Sequence, residues 1–133
     1  MLKKLHLWLG IIFFIVFLLT GQYFRIHYHG LQNLPDVERL MLRSGHVYLF
    51  FAAFINIVFG LYWTEPAKIK WTTIVNQSLI LLSPPLLTYS FVAEDVMYHG
   101  LQRGLGTLGV TLLLIWLINT AVGRAWAILK HQD

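Results

Sequence analysis

The residues of this chain with the most chemistry to offer are six histidines: His6, His27, His29, His46, His99 and His131. The chain has no cysteine, which removes disulfides, thiolate metal sites, thioether haem attachment and thiol redox chemistry together. Imidazole remains, as a group that changes charge near neutral pH and as a ligand for haem iron, copper or zinc. One histidine is duplicated. Tyr28-His29-Gly30-Leu31-Gln32 returns as Tyr98-His99-Gly100-Leu101-Gln102. Two imidazoles opposed across a helix bundle are the axial set of a b-type haem, which needs no cysteine. His46 opens an apolar stretch, where an ionisable group is expensive and usually functional. These observations predict a haem b held by histidines drawn from His29, His46 and His99. Copper or zinc on His27, His29, His46 and His99 is the alternative. The opposing reading needs no cofactor: His29 and His99 each precede a glycine at a helix end, where imidazole can bond the last carbonyls. No catalytic residue is identifiable.

The elements that must position these groups are apolar. Of 133 residues, 57% are hydrophobic and 12% charged, a balance that belongs in a lipid bilayer. Four apolar runs follow one another, Leu5 to Phe24, Val47 to Trp63, Trp71 to Val92 and Leu105 to Ala127, each able to cross a hydrocarbon layer of roughly 30 Å once its helix is extended at either end. The first is too long for a signal-peptide core, lacks a small-x-small cleavage site, and is expected to run on as a helix to Gly30. Pro35, Asp36 and Glu38 suit the start of the second helix. Ser83-Pro84-Pro85 interrupts the third, predicting a bend and freed carbonyls that need partners inside the bundle. Gly104, Gly106 and Gly109 leave room beside the fourth for a neighbouring helix or a flat ligand.

A second echo accompanies the first. Ile55-Asn56, Gly60 and Trp63 match Ile118-Asn119, Gly123 and Trp126 in order and spacing. The expected fold is therefore all-α: an integral membrane four-helix bundle made of two parallel-related transmembrane hairpin repeats, residues 1–65 and 66–133. A pseudo-twofold axis along the membrane normal would make His29 and His99 symmetry mates. Asn56 and Asn119 are expected to be interhelical hydrogen-bond partners. Lys3, Lys4, Lys68, Lys70, Arg124 and Lys130 lie on the side of the termini, against Arg25, Arg39, Arg43 and Arg103 on the other. That bias predicts a bacterial inner-membrane protein with both termini cytoplasmic. The basic residues flank apolar runs singly or in small groups, so the net charge of +4 points to membrane orientation and not to nucleic acid.

The opening Leu5-His6-Leu7-Trp8-Leu9-Gly10, followed by an apolar run and Thr20-Gly21, resembles the first transmembrane segment of PepSY-associated membrane proteins, some of which are haem-containing reductases. The likeness covers about a sixth of the chain and singles out His6 as an inner-face haem ligand. There is no extramembrane PepSY domain and no flavin- or nucleotide-binding segment, so reductase activity would require a partner subunit. Together these features predict a small multi-pass membrane redox component with a histidine-ligated haem near the outer face, exchanging electrons with quinol or a redox partner. A non-catalytic accessory or assembly subunit of a larger membrane complex is the alternative, and a transporter or proton channel a third.

Overall fold

The computed structural model describes residues 2–32, 34–64, 70–93 and 104–130. Among these residues it is all-helical: α1 (Leu2–His27), a 3-10 turn (His29–Leu31), α2 (Asp36–Tyr62), α3 (Trp71–Ala93) and α4 (Gly104–Lys130). Leu2–His27, Asp36–Tyr62 and Gly104–Gly123 are long and apolar enough to cross a membrane. The sequence predicts four such segments; α3 is the exception, because Asn76, Gln77, Ser78, Ser83 and two prolines dilute its apolar run. Those polar groups are not on the outside. Gln77, Ser83 and Ser90 are buried, while Leu18, Leu19, Leu114 and Ile118 are exposed. Large aliphatic side chains outward and polar ones inward is the distribution that fits contact with lipid.

α1 ends at His27, three residues before Gly30. In the turn that follows, His29 (φ 47°) and Leu31 (φ 71°) take left-handed backbone. Each costs on the order of 1 kcal/mol. Leu31 is buried, and burying a leucine contributes about 1.5–3 kcal/mol, enough to hold the turn. α2 then starts as expected: Pro35 precedes it, Asp36 and Glu38 occupy its first turn, and Arg39 pairs with Asp36.

α1 packs chiefly against α2 and α3 against α4, and the α2–α3 interface joins the two hairpins. Leu49, Ala52, Ile80, Leu87, Leu113 and Trp116 form the core. Glycine sets how closely the first pair approaches. A Cβ on Gly10 would lie 2.6 Å from the Ile57 amide nitrogen, and one on Gly60 would lie 2.5 Å from the Leu7 nitrogen. This is the backbone-to-backbone contact that small residues permit between apolar helices. In the second hairpin, Gly109 faces Leu87 and Ser83 more loosely, and Ser83 Oγ donates to the Gly109 carbonyl at 2.8 Å.

α3 continues as a helix through Pro84 and Pro85. Proline at 84 has no N–H to give the Ile80 carbonyl, four residues back. Asn56 Nδ2 donates to that carbonyl from α2, at 3.2 Å. The two echoed asparagines differ in surroundings: Asn56 is fully buried and Asn119 is exposed. Gly60 touches α1, whereas a Cβ on Gly123 would meet nothing within 4 Å.

Candidate functional site

Among the described residues, His6 is a titratable group whose side chain has no solvent exposure. The Gly10 and Gly60 contacts bring the start of α1 against the end of α2, and His6 Nδ1 lies 2.7 Å from Asn56 Oδ1. The network decides which atom carries the proton. Asn56 Nδ2 is spent on two carbonyls, Ala52 at 2.8 Å and Ile80 at 3.2 Å, so its oxygen must face His6 and accept. His6 therefore carries its proton on Nδ1 and a lone pair on Nε2. That nitrogen is buried and has no hydrogen-bond partner.

Gln77 of α3 adds a second buried polar group. Its Oε1 makes no close hydrogen bond, and its side chain lies within weak hydrogen-bonding reach of the His6 ring. The amide and the imidazole thus share one buried place, where a proton donor or a positive centre between them would be held. Aromatic rings complete the enclosure. Phe59 lies edge-on to the imidazole at 5.3 Å and Trp63 at 6.2 Å, and Trp116 of α4 meets Phe59 at 5.3 Å. A metal-ligating histidine is typically oriented in this manner, with its other nitrogen donating to a fixed oxygen.

His46 is a second oriented imidazole. Thr20 Oγ1 donates to the Phe17 carbonyl at 2.9 Å and so accepts from His46 Nδ1 at 3.2 Å. Phe17 stacks on the ring at 4.2 Å. Nε2 is left beside Gly21, where a Cβ would come within 3.3 Å of it. His46 is only half-buried. Its anchor Thr20 is fourteen residues along α1 from His6, a rise of roughly 21 Å, so His6 and His46 cannot be the two axial ligands of one iron.

The remaining histidines are placed differently. His27 is exposed and leans on Tyr23 with ring centres 4.5 Å apart. His29 is exposed on the 3-10 turn. His99 and His131 lie outside the described residues, and with them the opposition of His29 and His99. Among the described residues no three histidine, aspartate or glutamate side chains gather as a metal-ion site would require.

Gln77, Thr20, Phe17 and Trp116 are absent from the sequence-derived candidates. A signal existed for Gln77: it is an amide in an apolar run, adjacent to Asn76, which stands seventy residues after His6 as His99 does after His29. Thr20 stood in the Thr-Gly pair of the opening motif. Phe17 and Trp116 carry no local signal, because an aromatic ring in a membrane-like helix is ordinary.

No family model matches the chain, and no solved structure matches it. Among known proteins, it is similar to the phosphoserine aminotransferase of Halalkalibacterium halodurans, with 34% identity over 102 residues. That stretch is 74% of this chain and 27% of that enzyme, so the chain spans little more than a quarter of its relative's length.

Proposed function

We propose that the chain is a membrane redox component that holds a b-type haem through His6. In this reading the four helices cross a bacterial inner membrane as two hairpin repeats, residues 1–65 and 66–133, with both termini cytoplasmic. The observation that carries it is the buried Nε2 of His6, freed for a ligand because Asn56 fixes the proton on Nδ1.

Haem fits this donor set better than a bare ion. A structural zinc site takes about four protein donors, whereas a haem brings its own four nitrogens and needs as little as one imidazole from the protein. Phe59, Trp63 and Trp116 supply apolar walls, and Gln77 places an amide beside the ligand nitrogen. When bound, the haem would supply one-electron transfer; the protein would orient the imidazole, exclude water and set the polarity around the iron. The reading moves the cofactor from the outer face to the end of the bundle that carries the termini. It also agrees with the PepSY-associated resemblance, which singles out His6. A quinol or a partner subunit would exchange electrons with it.

The aminotransferase likeness leads to no transaminase proposal. A pyridoxal cofactor is held by a Schiff-base lysine, and the five lysines, at 3, 4, 68, 70 and 130, all flank the apolar runs.

The test is an absorption spectrum of the purified protein, oxidised and then reduced with dithionite, with iron measured on the same sample. Sharp reduced bands that disappear in His6→Ala and persist in His46→Ala support the assignment. A colourless, metal-free protein, or bands indifferent to His6, would sink it and leave the accessory-subunit reading.

A further inference from the structure

A cavity of about 260 Å³ lies between α2, α3 and α4. It occupies the half of the bundle away from His6: its α2 wall is centred on Ser44, twelve residues or roughly 18 Å from Asn56. Among the described residues its lining is apolar with five hydroxyls, on Ser44, Tyr48, Ser90, Thr107 and Thr111, and includes no charged residue.

Three of those hydroxyls have already committed their only proton. Ser44 Oγ donates to the Met41 carbonyl at 3.0 Å, Ser90 Oγ to the Leu87 carbonyl at 3.0 Å, and Thr111 Oγ1 to the Thr107 carbonyl at 2.8 Å. What they offer a guest is lone pairs. The guest that suits them donates hydrogen bonds and carries no charge, since no described residue of the wall would neutralise one. Met41 and Tyr48 also line the space, and a thioether and a phenol ring pack well against an aromatic face. α2 and α4 touch each other only marginally and are bridged by α3, which leaves the gap between α2 and α4 as a lateral route to the cavity.

We propose that this cavity binds a hydroquinone or related phenol that enters between α2 and α4. The proposal takes from the membrane reading only the lateral route of entry, and it does not depend on haem at His6.

The test is calorimetric titration of the full-length detergent-purified protein with tetramethylhydroquinone, kept reduced, and with its dimethyl ether, which has the same ring but no donor. The hydroquinone should bind about tenfold more tightly, the effect of one lost hydrogen bond. Val110→Phe, which fills the cavity, should remove binding of both, and Ser90→Ala should weaken only the hydroquinone. Protein that proves colourless and iron-free should bind the hydroquinone as tightly, which separates this site from the haem reading. Equal affinity for hydroquinone and ether overturns the proposal without recourse to any variant. Undiminished binding to Val110→Phe overturns it as well.

Discussion

The two hairpins use matched sequence positions for different purposes. In the first, a polar contact between α1 and α2 joins His6 to Asn56, is fully buried, and rests on glycines packed backbone to backbone. In the second, Asn76 Nδ2 reaches Thr120 Oγ1 between α3 and α4 at 3.3 Å, half-buried. Asn76 stands seventy residues after His6, and Thr120 follows Asn119, the echo of Asn56. Each hairpin thus has a polar link at the same end, but among the described residues it is the link of the first that includes an imidazole, with aromatic rings packed around it. Echoed positions in a sequence can therefore end in different surroundings, one buried in a polar network and the other exposed.

That contrast predicts unequal effects from equivalent changes. Asn56→Ala should be the most damaging: it leaves His6 Nδ1 and the proline-freed Ile80 carbonyl unsatisfied, at about 1–3 kcal/mol each. Asn119→Ala, on an exposed position, should stay within about 0.5 kcal/mol. Denaturant unfolding of both variants in detergent measures the difference, and equal losses would dissolve the contrast.

Gly60→Ala comes next. Its new methyl meets the Leu7 backbone, which cannot swing aside as a side chain would, so a loss of about 1–3 kcal/mol is expected from overpacking. Gly123→Ala meets nothing within 4 Å and should be neutral, or gain up to about 1 kcal/mol from helix propensity. Thermal unfolding of the pair sharpens the comparison, and matching melting points would contradict it.

Among the changes that break a contact between helices, Asn76→Ala should cost least. A single long hydrogen bond between apolar helices is worth about 0.6 kcal/mol on average. The same unfolding assay should place it well below Asn56→Ala, and a loss as large as that of Asn56→Ala would mean the second hairpin hides a network of its own.

Much of this arrangement was legible in the residues, for reasons that also explain what was not. Apolar run length predicts helices, and the positions of α2 and α4 follow from it. The α3 prolines predict orphan carbonyls, and Asn56 meets one of them. The end of α1 falls three residues short of Gly30; left-handed backbone at His29 and Leu31 goes with the burial of Leu31, a tertiary effect that no linear pattern marks. For the site, spacing along the chain pointed to the duplicated His29 and His99, whereas burial and a fixed tautomer point to His6, and neither property is visible in a linear pattern. The opening motif fared differently. His6, Gly10, Thr20 and Gly21, four residues of that motif, are all residues by which α1 meets α2, so its spacing encodes helix contact as much as ligand chemistry.

The account rests on His6 holding its proton on Nδ1 and leaving Nε2 free, and nitrogen-15 NMR of histidine-labelled, cofactor-free protein reads that state directly. The account predicts a neutral His6 with a protonated Nδ1 and an unprotonated Nε2, a pattern lost in Asn56→Ala. A His6 protonated on Nε2, alone or together with Nδ1, would contradict it, because the nitrogen offered to a ligand would already be occupied.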